Sequence, residues 1–187
     1  MEGTKKLNIL LITNRDSDNC GDQVIEACDI ALLSVIMRQI GFSETDFKIS
    51  SRALAIVSNE FVAAQNEKLL EGAREAIKSA DCVIFGGAPV FNYKYQSFYF
   101  KTSTIINLAK QYAKPIIFSA IGIDGYDDNS NKCQMIKDAL RAGTVKQITT
   151  RDGITFLRKY TNEIDIPIHL VADPAVFAVS VYSDVVN

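Results

Sequence analysis

The chain has 187 residues, of which 48% are hydrophobic and 22% are charged, as in a globular protein with a full core. Its formal net charge of −2 argues against a nucleic-acid binder, since neutralising phosphates needs a basic surface. No stretch approaches the ~20 apolar residues of a membrane span, and the first apolar run, residues 7–13, is too short for a secretory signal. We therefore expect a cytoplasmic protein.

The cysteines and the single histidine do not form a metal-binding pattern. Cys20, Cys28, Cys82 and Cys133 contain no CxxC pair and show no ligand spacing with His169. We therefore expect no metal site, and we expect free thiols, as in a reducing cytosol.

Apolar patterning predicts strands that alternate with helices, because continuous apolar runs are typical of buried parallel strands. In chain order, the expected elements are a strand at 7–13, a helix at 24–40, one strand with an irregular connection within 46–59, a helix at 60–80, a strand at 81–85, a helix from the aromatic segment 91–100 to about residue 112, a strand at 114–121, a helix at 132–142, a strand at 146–150, a helix at 153–160 and a strand at 166–171.

This alternation predicts an α/β fold: a doubly wound, mostly parallel Rossmann-like sheet, with residues 1–187 in a single domain. Ligands of such a sheet bind where the strands end and turn into helices, so distant residues should meet at that edge. The pattern offers no helix after Asp173-Pro174-Ala175, and we expect a C-terminal partner domain that this chain lacks. Apolar residues 176–186 would then form an exposed patch that meets the partner or drives self-association.

The loop after the first strand contains Asn19-Cys20-Gly21-Asp22 just before a helix. Asp22 is a good N-cap residue, and capping is the simpler interpretation. The alternative places the helix N-terminus at a phosphate or carboxylate of a ligand.

A second turn, Gly86-Gly87-Ala88-Pro89, follows a buried strand. Two glycines let the backbone approach a ligand closely and offer N–H groups to an anion, but a tight turn without a ligand explains them equally well. The GxGxxG and GxxxxGK[ST] patterns are absent here, which disfavours NAD, FAD and a phosphate loop. No cofactor is predicted.

Two later turns also lie at predicted strand ends. Gly122 belongs to a loop that either wraps a ligand or only connects elements. Arg151 would present its donors to a carboxylate or phosphate, or else form a salt bridge with Asp173. Asp152 is expected to be the N-cap of the next helix.

An aromatic and basic stretch leads into the third expected helix and could line a sugar site by stacking, although the amphipathic face of a packed helix is commoner. Its members are Tyr93, Lys94, Tyr95, Tyr99 and Lys101. His169 lies in an apolar strand, where a histidine is more often structural than catalytic.

Taken in order, these motifs resemble the polysaccharide pyruvyl transferase family over about residues 8–178. The resemblance rests on an Asn-x-Gly-Asp after the first strand, an Ala-Asp-x-Val-Ile-x-Gly-Gly turn and a Lys-Pro-Ile strand ending in Ile-Gly-Ile. An Arg-Asp at the head of a helix and an Asp-Pro-Ala near the end complete it.

The resemblance implies a glycosyltransferase-B-like protein of which this chain is similar to the N-terminal domain. It implies transfer of the enolpyruvyl group of phosphoenolpyruvate to sugar hydroxyls, making a pyruvate ketal on cell-surface polysaccharide or its lipid-linked precursor. Carried over motif by motif, the substrate-binding residues are Asn19, Gly21, Asp22, Gly86, Gly87, Gly122, Arg151 and Asp152, and Asp173 with Pro174 match the domain-end motif.

Two departures from the family pattern matter. Ala88 stands where the family turn usually has a third glycine, and the proposed catalytic histidine of the family lies in a C-terminal half that this chain lacks. His169 does not match it, so no catalytic residue is assigned and the chain alone is expected to be inactive.

The implied partners are phosphoenolpyruvate and a sugar or lipid-linked oligosaccharide acceptor, through which the protein would associate peripherally with a membrane. Two alternatives stay open: half of a nucleotide-sugar glycosyltransferase, and a non-catalytic module that binds sugars or anions.

Overall fold

The computed structural model describes residues 6–183, in which six strands and seven α-helices alternate. The strands are β1 (Leu7–Thr13), β2 (Phe47–Ala53), β3 (Cys82–Gly86), β4 (Ile116–Ile121), β5 (Val145–Thr150) and β6 (Ile168–Leu170). The helices are α1 (Cys20–Gln39), α2 (Asn59–Ala64), α3 (Glu71–Ser79), α4 (Phe98–Gln111), α5 (Asn131–Leu140), α6 (Ile154–Thr161) and α7 (Ala178–Val181). Short 3₁₀ segments lie at Leu54–Ile56, Glu67–Leu70 and Pro174–Phe177.

All six strands pair in parallel in one sheet of order β2-β1-β3-β4-β5-β6. The chain leaves β1 for β2 on one side and then crosses back to β3 on the other side. This reversal creates a switch point between β1 and β3, where the carboxyl ends of the strands open a crevice. The predicted doubly wound, Rossmann-like fold is confirmed.

Each face of the sheet has its own apolar core. Leu10 and Ile12 of β1 point into the larger core, which α3, α4, α5 and α6 cover. Ile9 and Leu11 point to the opposite face, where they pack with Met37 of α1. Because both faces are buried, β1 reads as a continuous apolar run, which explains why its predicted bounds are those observed.

The single helix predicted over residues 60–80 is wrong, because the chain breaks in its middle. Gln65 takes a left-handed conformation (φ 52°) and ends α2. The side chain of Asn66 then accepts a hydrogen bond from the Lys68 N–H and starts the 3₁₀ segment that leads into α3. A local cap therefore overrides a sequence that favours helix throughout.

The expectation that no helix follows Asp173-Pro174-Ala175 is also wrong. Asp173 caps the 3₁₀ segment by accepting from the Ala175 N–H at 2.9 Å, and this segment and α7 both pack against α1. Several apolar side chains here stay exposed, including Val176, Phe177 and Val179. The last part of the predicted apolar patch, residues 184–186, lies outside the described residues.

Candidate functional site

A cleft of about 500 Å³ opens at the carboxyl ends of the strands beside the switch point. Asn14 follows β1, Ala53 ends β2, Pro89 follows β3 and Arg151 follows β5, and all four line the cleft. The beginnings of α1 and α4 complete its wall. Residues from widely separated parts of the chain therefore meet at this edge, as the predicted topology requires.

The wall formed by the start of α1 is held by two side-chain networks. Asn19, not Asp22, is the N-cap, because its Oδ1 accepts from the Gly21 N–H at 3.0 Å and the helix begins at Cys20. Asp22 lies in the first turn and accepts hydrogen bonds from Asn14 Nδ2 at 2.8 Å and from the Ser17 hydroxyl. The N-cap prediction for Asp22 is therefore wrong, and its carboxylate instead fixes the loop that leads into the helix.

In the turn after β3, Gly86, Gly87 and Ala88 are buried and do not line the cleft, whereas Pro89 does. A Cβ on Gly86 would lie 2.3 Å from Asp29 Oδ2, and a Cβ on Gly87 would lie 2.1 Å from Ile25 Cγ2. The Gly87 N–H already donates to the Ser119 carbonyl at 2.9 Å. The geometry therefore accounts for both glycines by the close approach of α1 to the turn.

Asp29 of α1 is a buried carboxyl group with only 3% of its surface exposed. Its Oδ2 has no hydrogen-bond partner within residues 6–183. Burial is the main cause that raises the pKa of Asp29 to about 7; Asp173 and Glu26 raise it further and Arg151 opposes them. A carboxyl group with this pKa changes charge near neutral pH.

Arg151 lies in the cleft wall, and its charge acts on the Asp29 carboxyl by lowering the pKa of that group. Its Nη1 pairs with Asp173 Oδ2 at 2.8 Å, so the salt bridge considered from the sequence is present. The side chain is 19% exposed and lines the cleft. Within the described part of the chain, only Nη1 of the guanidinium is hydrogen-bonded, and the remaining donors are available to a ligand.

Asp152 and Gly122 connect the strand ends behind the cleft and do not line it. Asp152 Oδ2 accepts from the Ile123 N–H at 2.7 Å, and Gly153 occupies the N-cap position of α6. The prediction that Asp152 caps this helix is therefore wrong. Gly122 donates to the Ala88 carbonyl at 3.0 Å and packs so tightly on Pro89 that a Cβ would come within 3.0 Å of Pro89 Cα.

The aromatic and basic stretch divides between the cleft and the surface. Tyr95 and Lys101 line the cleft. Lys94 Nζ lies over the ring of Tyr93 at 5.4 Å, and Tyr99 holds Lys132 Nζ at 5.1 Å, so these residues pair outside it. Neither interpretation of this stretch, as the lining of a sugar site or as the face of a packed helix, therefore accounts for all five residues.

Several polar residues of the cleft escaped the sequence analysis. They are Asn14, Asp16, Ser17, Asn59 and Gln96. Asn14 is the first residue after β1, so the rule that selected Arg151 could have selected it too. His169, by contrast, is exposed on the edge strand β6 and does not line the cleft.

Metal binding, membrane spanning and the state of the cysteines were also considered from the sequence. Within residues 6–183, no group of three or more His, Cys, Asp or Glu side chains could hold a metal ion. The helices described here are all too short or too polar to cross a membrane. All four cysteines are free thiols.

Comparison with known proteins gives one clear result. A family model described as polysaccharide pyruvyl transferase matches residues 5–187. The comparison with curated proteins gives no match.

Proposed function

The chain belongs to the polysaccharide pyruvyl transferase family, and we propose that it forms the donor-binding part of an enzyme that uses phosphoenolpyruvate. The enolpyruvyl group would pass to two hydroxyls of a sugar in polysaccharide biosynthesis. One observation carries the proposal: the cleft at the switch point is lined by two cationic side chains, Arg151 and Lys101, that keep donors for a ligand. Phosphoenolpyruvate carries a carboxylate and a phosphate, the groups such donors bind.

The reaction sets the demands on this cleft. A general acid protonates the CH₂ carbon of phosphoenolpyruvate, and the central carbon gains oxocarbenium character. Two sugar hydroxyls add to that carbon, each losing its proton, while the C–O bond to phosphate breaks and inorganic phosphate leaves. Fixed positive charge near the phosphate lowers the barrier, because it stabilises the negative charge that develops on the phosphate as it leaves. Fixed positive charge near the carboxylate holds the donor in position.

In this proposal the predicted site residues fall into two groups. Asn19, Asp22 and Arg151 line the cleft and face the substrate. The remaining predicted residues shape the walls from behind, and they are Gly21, Gly86, Gly87, Gly122 and Asp152. No general acid is assigned within this chain, and the resemblance implies that the proposed catalytic histidine of the family lies in a C-terminal half.

Arg151→Ala in the complete enzyme should lower kcat/KM for phosphoenolpyruvate by roughly 100-fold, because it removes a charged hydrogen bond to an anionic substrate. The fold should persist, since the lost ion pair joins partly exposed groups. The matched control is Asp173→Asn, which weakens the same ion pair but keeps the guanidinium, and it should retain most of the activity. Near-normal turnover of Arg151→Ala would contradict the assigned role.

Donor binding distinguishes this proposal from its alternatives. Isothermal titration of the 187-residue chain with phosphoenolpyruvate, with a nucleoside diphosphate sugar and with free sugars compares the three ligand classes. We expect saturable binding of phosphoenolpyruvate. Binding of the nucleotide sugar without phosphoenolpyruvate would instead indicate a glycosyltransferase, and binding of sugars alone would indicate a non-catalytic module.

The setting of the reaction is part of the same proposal. Free thiols suit the reducing cytoplasm, where phosphoenolpyruvate is available. The acceptor would be a sugar or a lipid-linked oligosaccharide, and only the latter would bring the protein to a membrane surface.

A further inference from the structure

Lys101 is a charged residue in an unusual position. It lies in the first turn of α4, it is only 7% exposed, and it lines the cleft. Its ammonium group forms no hydrogen bond or ion pair with any residue of the described chain, 6–183. Buried lysines are normally paired, so the absence of a partner in a cleft wall indicates a missing ligand.

No neighbouring carboxylate pairs with the positive charge of Lys101 within residues 6–183. Burial is the main cause that lowers the pKa of the Lys101 ammonium, and the charges of Asp16 and Glu60 oppose this shift from a distance. Glu60 is on α2 and Asp16 is in the loop after β1, and both are exposed. The lysine therefore lacks a protein partner that compensates its burial.

The backbone beside Lys101 supplies a second, independent feature. Ser97, the N-cap of α4, makes no side-chain capping hydrogen bond, so the N–H groups of the first turn are not satisfied by a cap. Phe98, the first residue of this 14-residue helix, also lines the cleft. Unsatisfied N–H groups and the positive end of the helix dipole attract anions.

We propose that Lys101 and the first turn of α4 form the subsite that holds the phosphate group of the ligand. This inference rests on the proposed function and deepens it, because it divides the two anionic groups of phosphoenolpyruvate between two cations. The phosphate lies on Lys101, and the carboxylate is left for Arg151, whose planar donors suit it better. A phosphate of a nucleotide sugar would satisfy the same subsite, so the test includes both ligands.

The test is a set of titrations of the whole chain in phosphate-free buffer with phosphoenolpyruvate, inorganic phosphate, pyruvate and a nucleoside diphosphate sugar. Lys101→Met keeps the length of the side chain without its charge, and Lys101→Arg keeps the charge. Lys94→Met is the matched control, because Lys94 is exposed and outside the cleft. Lys101→Met should weaken the binding of phosphoenolpyruvate and of phosphate by about 10- to 100-fold. The affinity for pyruvate, which has no phosphate group, should stay unchanged.

A second readout separates this role from a structural one. Without ligand, Lys101→Met should melt at a higher temperature than the unmodified protein, because it removes a buried charge that lacks a partner. A lysine that stabilises the fold would give the opposite shift. Lys101→Arg should retain phosphate binding within about threefold, while Lys94→Met should change neither quantity.

The possible outcomes test the phosphate subsite and the identity of the donor separately. Equal binding of phosphoenolpyruvate to Lys101→Met and to the unmodified protein overturns the subsite and leaves the proposed function standing. Binding of the nucleotide sugar alone, weakened by Lys101→Met, supports the subsite and overturns phosphoenolpyruvate as donor. Absence of binding by any phosphate compound overturns the subsite.

Discussion

Gly87→Ala will lower the free energy of unfolding by about 3–5 kcal/mol, which is the sum of a steric and a backbone cost. The new Cβ would lie 2.1 Å from Ile25 Cγ2, a branched side chain that cannot swing aside. In addition, Gly87 has a φ of +31°, which an alanine adopts only with strain. Chemical denaturation of the purified variant measures the loss, and poor expression is expected to accompany it.

Two further variants show whether the contact with α1 is the cause. In an Ile25→Ala background, Gly87→Ala should cost about 1–2 kcal/mol less, because the clashing methyl group is gone. Gly72→Ala is the matched control: a Cβ there meets nothing within 4 Å, and alanine in α3 should stabilise the fold by about 1 kcal/mol. Additive effects of Ile25→Ala and Gly87→Ala would contradict the packing explanation of this turn.

Asp29→Asn will stabilise the protein at pH 8 by on the order of 4 kcal/mol, which raises Tm by roughly 10 °C. The pKa of Asp29 is about 7 in the folded protein and about 3.9 in the unfolded chain. The folded state therefore binds the proton more tightly, and stability from this group is complete below about pH 4 and is lost as the pH rises to about 7. Asparagine carries no charge and avoids this loss.

The stabilisation by Asp29→Asn should therefore depend on pH. It should be largest at pH 8 and nearly vanish at pH 4, as measured by thermal unfolding across this range. Asp18→Asn is the matched control, because Asp18 is exposed and its removal should leave the profile unchanged. A stabilisation of equal size at both pH values would show that Asp29 does not titrate near neutrality.

The central strands β1 and β3 could be predicted from the sequence because they are buried on both faces. Leu7–Thr13 reads as one apolar run for that reason, and its observed bounds are those predicted. The start of α1 was harder to predict, because Asn19 and Asp22 are both residue types that favour the N-cap position. The choice between them depends on Asn14 and Ser17, which hold the Asp22 carboxylate in the folded loop.

The position of the cleft could be predicted from the sequence, whereas the contacts of the residues around it could not. Strand ends converge by topology, so Arg151 at the end of β5 lies in the cleft as expected. The glycines after β3 depend on Ile25 and Asp29, which come from a helix more than fifty residues earlier. Similarly, only the folded chain shows that Lys101 is buried in the cleft wall and that neither Asp16 nor Glu60 forms an ion pair with it.

The measurement that tests the central claim most directly is product analysis by mass spectrometry and NMR. The complete gene product is incubated with phosphoenolpyruvate and a panel of free and lipid-linked sugars, and released phosphate is followed in parallel. The account predicts a sugar that carries a pyruvate ketal, formed with one phosphate for each ketal. Unchanged sugars and unconsumed phosphoenolpyruvate across the panel, with turnover of a nucleotide sugar instead, would contradict it.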